Sequence, residues 1–332
     1  MILNETQLRE LGCAVFAASG VPAGTAACVV DALVLAELDG LPSHGFSRIP
    51  FYTDQALSGK VDAKARPVLT HPAPAYVLAD AASGFAFPAI RDGLAEAVPL
   101  AKRCGVAVLG VTRSHHCGVL GQYAERLAEE GLVSLIFSNT PAAMAPWNGS
   151  RASFGTNPLA FGCPRGGKHP LVVDMSLSKV ARGKIMGAKQ RGERIPEGWA
   201  LDARGLPTTD PAAALGGTMI PAGDAKGAAL ALVVEILSAA LTGSNYAFEA
   251  SSFFEAAGEA PGIGQLFLLL DPGPLNPRFP ERLETLCGHL LAQEGVRLPG
   301  ERRFAVRERN RAEGVNLPDA LYAELRKRAG RA

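Results

Sequence analysis

The 332-residue chain has almost no net charge: 33 Lys and Arg stand against 32 Asp and Glu, leaving +1 at pH 7 with His neutral. Without a basic field there is little to hold a polyanion, so neither nucleic acid nor an anionic membrane is expected as a partner. Cysteine is present but unpatterned. Cys13, Cys28, Cys104, Cys117, Cys163 and Cys287 form no CxxC pair and no Cys/His spacing of a zinc site. They read as reduced thiols, and no metal is expected. Long apolar runs are missing too. The most apolar stretch, 227–241, is interrupted by Glu235 and falls short of the roughly 20 residues a membrane span needs, which predicts a buried core helix. The opening Met1-Ile2-Leu3-Asn4-Glu5 has no basic segment followed by an apolar run, so secretion is not indicated and a cytoplasmic location is expected. No internal repeat and no low-complexity linker interrupts the chain.

What remains is the composition of a globular protein, 48% hydrophobic and 20% charged, long enough for two domains or one large one. Apolar residues recur at helical spacing from Glu5 to Asp39, in two runs split by the Gly20-Val21-Pro22-Ala23-Gly24 turn. The pattern then becomes mixed. A strand is expected at 76–78, a helix over 86–104, and short apolar strands at 106–111, 133–137, 159–162 and 265–270. Helices are expected over 178–192 and 283–293, with a helix pair closing the chain. The polar turns collect at strand ends, where clefts of α/β proteins carry their chemistry.

One loop concentrates reactive groups. Ser43-His44-Gly45-Phe46-Ser47-Arg48 offers a guanidinium that can grip a carboxylate through two parallel hydrogen bonds. It also offers an imidazole that can deliver a proton to a developing alkoxide or amide anion. Ser43 can orient the ring or bind the same oxygen. A second loop, 112–121, leads from a strand into a helix N-terminus, where backbone amides can hold phosphate or carboxylate. Its glycines are not spaced GxGxxG and the next strand ends in Ser138-Asn139-Thr140, so the Rossmann fingerprint is absent. Lys179, Arg182 and Lys184 read on their own as a solvated basic face. His71, His169 and His289 read as surface or structural residues, and His115 as packing beside His116. A Ser-His hydrolase built on Ser43 is a poor fit, because adjacent residues rarely reach nucleophile–base geometry and no GxSxG elbow is present. A non-catalytic nucleotide-binding paralogue is the other alternative.

Seven blocks occur in one order: SHGFSR at 43, SHHCGVLGQY at 114, FGTNPLAFG at 154, DMSLSKVARGK at 174, GLPTTDP at 205, PAGDAKG at 221 and LPGERR at 298. Together they make the chain resemble the malate/L-lactate dehydrogenase family of the non-Rossmann type. That family includes ureidoglycolate and sulfolactate dehydrogenases and the Δ1-piperideine-2-carboxylate/Δ1-pyrroline-2-carboxylate reductases. The resemblance implies an α/β fold in which a non-Rossmann NAD(P)-binding domain with a largely antiparallel sheet, 67–275, joins a helical domain made from both chain ends, 1–66 and 276–332. It implies a homodimer and hydride transfer from NADPH or NADH to C2 of a small 2-oxo acid or cyclic 2-imino acid.

By matching position, His44 would be the proton donor with Ser43 its relay neighbour, Arg48 the carboxylate clamp and Thr156 a substrate contact. The cofactor would lie against His116, Cys117, Gly118, Val119 and Leu120, against Asp174, Met175 and Ser176, and against Arg182, Gly183 and Asp224. It would also meet the loop Arg297, Leu298, Pro299, Gly300, Glu301, Arg302 and Arg303, whose arginines favour NADPH. Two positions depart from the pattern. Lys184 stands where the cyclic imine reductases carry an Asp that completes a Ser-His-Asp relay, whereas the hydroxy-acid dehydrogenases more often read ARGK as here. Asp224 replaces a glycine, and its carboxylate would repel phosphate unless it points away or pairs with Lys226.

Overall fold

The computed structural model describes residues 1–330. Its centre is a seven-stranded sheet in the order Val68–Thr70, Tyr76–Asp80, Val106–Ser114, Ile263–Leu270, Val133–Ser138, Leu159–Cys163, Leu171–Met175. Only Tyr76–Asp80 and Val106–Ser114 pair in parallel, and the other neighbours are antiparallel. A mixed α/β fold on a mostly antiparallel sheet is therefore what the chain adopts. The parallel pair needs a crossover, and helix Ala86–Cys104 supplies it. That helix stops at Gly105, in the left-handed region at φ 78°, a conformation glycine adopts without steric cost.

Pairing register explains where the chemistry gathers. Ser114 faces Ile263, Gln265 faces Ser138, Phe137 faces Leu159, and Leu159 faces Met175. Three strand ends and two strand starts thus share one end of the sheet. The loops after Ser114, Ser138 and Met175 and before Leu159 all open on the same side. Beneath them helices Ala86–Cys104 and Leu120–Glu129 bury Ile90, Leu94, Ala124 and Leu127 against Leu109, Ile136, Ala160 and Phe267.

A second core is helical. Helix Glu5–Ala18 starts in a reciprocal cap, with the Asn4 side chain accepting from the Gln7 N–H at 2.9 Å and the Gln7 side chain accepting from the Asn4 N–H at 3.0 Å. It packs with Ala23–Leu38, Ile49–Ser58 and the C-terminal helix Asp319–Arg328 through Phe16, Leu33, Phe46, Tyr52 and Leu325. The two-residue ladder of Ile2–Leu3 with Val315–Asn316 ties the chain ends together. Helix Glu301–Glu313 is joined to this body by charge. Arg307 donates to both Asp39 oxygens at 2.5 and 3.1 Å and to Glu125 at 2.8 Å, and Arg303 donates to Glu125 at 2.5 Å. Helix Phe279–Leu291 instead covers the far edge of the sheet, with Leu283 and Cys287 against Cys163 and Phe161.

The apolar stretch 227–241 differs from expectation. It forms helix Ala225–Glu235 and a π turn Ile236–Ala240, but only Gly227, Ala228, Ala231, Val234, Ser238 and Ala239 join Glu235 in burial. Leu232, Val233, Ile236 and Leu241 are exposed. A helix that is apolar all round has no marked face, so composition alone could not show that one side is left uncovered. Among the described residues no helix is long and apolar enough to cross a membrane, and no group of three or more His, Cys, Asp or Glu could hold a metal ion.

Candidate active site

Two short 3-10 turns, Pro42–His44 and Phe46–Arg48, carry the SHGFSR loop from the end of helix Ala23–Leu38 into helix Ile49–Ser58. The loop is held from below by Glu37. Its buried carboxylate accepts the Phe46 N–H at 2.6 Å, and burial pushes its pKa up against that bond. Gly45 lies directly on this carboxylate, since a Cβ there would stand 2.3 Å from Glu37 Oε1. The glycine in the motif is thus required by contact.

Above this support, Ser43 Oγ is 3.1 Å from His44 Nδ1, and Arg48 Nε donates to the Ser43 carbonyl oxygen at 2.6 Å. The guanidinium lies 4.8 Å from the centre of the Phe254 ring, a cation–π contact. Arg48 Nη1 is a buried donor with no partner, and Arg48 has no ion pair among the described residues. Burial pulls the His44 imidazolium down to about 4, with the neighbouring Arg48 charge adding to the shift. His44 is therefore neutral at pH 7 when the site is free of substrate.

These groups face a cavity of about 1370 Å³, larger than the 300–1,000 Å³ typical of a single small-molecule pocket. Its wall includes Ser43, His44, Arg48, Thr156, Arg182 and Gly183, together with 116–120, 174–176, 297–300, Arg302 and Arg303. Lys184, Asp224 and Glu301 are not part of it. Lys184 is exposed on helix Arg182–Arg191, and Asp224 is exposed just before helix Ala225–Glu235. The Asp224 carboxylate is thus kept off the cavity. Glu301 closes its own loop, accepting the Leu298 N–H at 3.0 Å. Gly183 approaches Ser43 across the cavity, its Cβ position lying 3.9 Å from Ser43 Cβ.

The 116–120 loop is built differently from a simple phosphate cradle. Asp174 Oδ2 accepts the Gly121 N–H at 2.7 Å, so a carboxylate already occupies part of the N-terminus of helix Leu120–Glu129. Burial raises the Asp174 pKa, while the Gly121 bond and the Arg303 charge oppose the rise. Tyr123 fixes the loop by donating to the Cys117 carbonyl oxygen at 2.8 Å. Of the three arginines expected at a ribose phosphate, Arg303 is committed to Glu125, leaving Arg297 and Arg302 without ion pairs among the described residues. Thr156 is set by Thr140, whose Oγ1 accepts the Thr156 N–H at 2.9 Å.

Several wall residues were not visible as site residues in the sequence. Phe248, Phe253 and Phe254 come from the 246–255 loop, and Met186, Gly187 and Gln190 from the exposed helix Arg182–Arg191. An aromatic pair in a polar loop is the one local signal that could have marked the former. His115 is buried and holds Gln55 Oε1 at 2.8 Å, and His71 and His169 lie at the surface beside Glu96 and Glu308.

The sequence model of the malate/L-lactate dehydrogenase family matches residues 3–326. The chain belongs to the malate/L-lactate dehydrogenase family. It is 56% identical over 327 residues to a (2R)-3-sulfolactate dehydrogenase (NADP(+)) of Chromohalobacter salexigens, covering 98% of this chain and 97% of that one. It is 38% identical over 327 residues to a Delta(1)-pyrroline-2-carboxylate/Delta(1)-piperideine-2-carboxylate reductase of Pseudomonas putida, covering 98% of this chain and 96% of the relative. Among solved structures it resembles the delta1-piperideine-2-carboxylate reductase of Pseudomonas syringae pv. tomato at a TM-score of 0.94, with 37% identity and 99% of each chain covered. As a family member the chain is an NAD(P)-dependent oxidoreductase of the dehydrogenase/reductase kind.

Proposed function

We propose that this enzyme uses NADPH to reduce C2 of a small 2-oxo acid and runs the reverse oxidation of the 2-hydroxy acid, with 3-sulfopyruvate and (2R)-3-sulfolactate as the leading pair. The observation that carries the chemistry is Arg48, a guanidinium in the cavity wall with no ion pair among the described residues, whose Nη2 is neither buried nor hydrogen-bonded, beside a neutral imidazole. A carboxylate is the complement such a fork lacks. The sulfonated pair is favoured by the 56% identical relative and by Arg182, a second arginine in the cavity wall with no ion pair among the described residues.

The empty-site pKa of His44, about 4, fits a proton donor once substrate is considered. A carboxylate on Arg48 neutralises the charge that depresses the imidazolium and adds a favourable one nearby. Binding therefore draws a proton onto His44, ready for the C2 oxygen. In the reverse direction the neutral ring is already a base. Ser43 orients the ring at Nδ1, and Thr156 closes the far side of the substrate. The cofactor would take the rest of the cavity, whose volume of about 1370 Å³ exceeds what a small acid needs. Arg297 and Arg302 would take its ribose phosphate, 116–120 and 174–176 its diphosphate and nicotinamide ends, and Arg182 and Gly183 flank the reacting end. NADPH, when bound, supplies the hydride.

The dinucleotide site is of the non-Rossmann type, on a domain over 67–275 completed by helices from both chain ends, and the enzyme acts in the cytoplasm. A homodimer is supported by the uncovered row Leu232, Val233, Ile236 and Leu241. A second reading, reduction of the cyclic imines, is favoured by the two reductase relatives. Against it, Lys184 is a cation at the position where those reductases carry the relay Asp, and no carboxylate is hydrogen-bonded to Ser43 or His44 among the described residues. The test is oxidation of NADPH and of NADH by the purified protein with 3-sulfopyruvate, oxaloacetate, pyruvate and Δ1-piperideine-2-carboxylate. Turnover of 3-sulfopyruvate well above the others is expected. Preference for the imine would replace the leading substrate, and no turnover with any of them would remove the activity.

A further inference from the structure

His116 and its buried neighbour Tyr52 form a pair that the proton-transfer reading leaves unused. Tyr52 is fully buried, wedged against Phe85 and Phe87 at ring separations of 5.8 and 6.3 Å. Its hydroxyl is hydrogen-bonded to His116 Nδ1, and no other acceptor for it is found among the described residues. Burial holds the phenol protonated and holds His116 neutral. A buried hydroxyl hydrogen without an acceptor is costly, so the proton must point at Nδ1. The imidazole then carries its single hydrogen on Nε2. That nitrogen has no protein partner, is not among the buried unpartnered atoms, and belongs to a residue of the cavity wall. The ring stands 5.5 Å from that of His44, tilted by 30°.

From this geometry we infer that Tyr52 is a positioning residue that locks His116 as the Nε2–H tautomer. His116 then presents a fixed, uncharged hydrogen-bond donor to an acceptor oxygen beside His44. A neutral donor can sit next to His44 without repelling the imidazolium that forms there, which a second cation could not do. The oxygen is either that of the substrate at C2 or the nicotinamide carboxamide. A preorganised donor to the first would act on kcat, and one to the second on cofactor affinity.

The test has a spectroscopic arm and a kinetic arm, and only the kinetic arm rests on the proposed reduction. With 15N-histidine label, the wild-type protein should show His116 with a bare Nδ1 and a protonated Nε2. Tyr52→Phe should lose that single tautomer while keeping its far-UV spectrum. A protonated Nδ1 in the wild type, or an unchanged tautomer in Tyr52→Phe, overturns the inference whether or not any substrate turns over. Kinetically, Tyr52→Phe should lose about tenfold, His116→Phe at least as much, and the double variant no more than His116→Phe alone. The loss falls on kcat if the acceptor is the substrate oxygen, or on NADPH affinity, read by fluorescence titration, if it is the carboxamide. Additive losses would mean that Tyr52 acts through general packing and would overturn the pairing.

Discussion

At the residue scale the site is a balance between one uncompensated charge and one suppressed one. Arg48 lacks an anion and His44 lacks a proton, and the same carboxylate corrects both. Replacing Arg48 with Met should therefore do two things. It should weaken the KM for the 2-oxo acid by about 100-fold, the scale of a lost charge-assisted bidentate contact. It should also raise the His44 pKa from about 4, because one of its two depressing causes is gone, and a proton NMR titration of the ring would show it. Unchanged titration would mean that burial alone sets the value. His44→Ala should cost about 100-fold or more in turnover, and near-wild-type turnover would remove its role. The wild-type pH profile follows from the sign of the shift. Oxidation needs neutral His44 and should rise with pH to a plateau. Reduction needs the protonated ring and should fall as pH rises through the pKa of the substrate complex, which lies above that of the free enzyme. Oxalate binding should accordingly take up protons near pH 7, read from the dependence of binding enthalpy on buffer.

Elements differ in how far the sequence discloses them. Strand runs such as 106–111 and 265–270 are legible because an apolar run of strand length between turns has few other folds open to it. Their order is not. Ile263–Leu270 inserts between Val106–Ser114 and Val133–Ser138, a pairing of segments more than a hundred residues apart that no local pattern encodes. The SHGFSR loop was legible as chemistry because its groups are contiguous. Its support was not, since Glu37 belongs to the preceding helix and meets Gly45 only after the chain turns. That contact makes an element-scale prediction. Gly45→Ala should lower stability by about 1–3 kcal/mol through overpacking and should cost activity as well, because the loop must move off Glu37 and carries Ser43, His44 and Arg48 with it. Thermal melting with kinetics on the same samples would test this, and a stable, fully active variant would show that the loop can shift without consequence.

Across the whole molecule, a net charge of +1 conceals an uneven distribution. The cavity wall holds five arginines, Arg48, Arg182, Arg297, Arg302 and Arg303, against two carboxylates, Asp174 and Glu255. The count was open to the sequence; the bookkeeping of partners was not, because it depends on helix Glu301–Glu313 turning Arg303 toward Glu125 and leaving Arg302 at the surface. The two ends of the cavity should therefore respond to salt differently. Arg297 and Arg302 are exposed, and exposed charges are screened within a Debye length of about 8–10 Å at physiological ionic strength. Arg48, with a buried Nη1, is screened much less. Raising ionic strength from low to about 0.5 M should weaken the KM for NADPH more than that for the 2-oxo acid, and should weaken NADH less than NADPH. Arg302→Ala and Arg297→Ala should each flatten the NADPH salt dependence and narrow its advantage over NADH. If neither substitution alters NADPH affinity at any salt concentration, the ribose phosphate is held elsewhere in the cavity, and Arg182, which like Arg48 has no ion pair among the described residues but is not assigned to the substrate carboxylate, becomes the candidate.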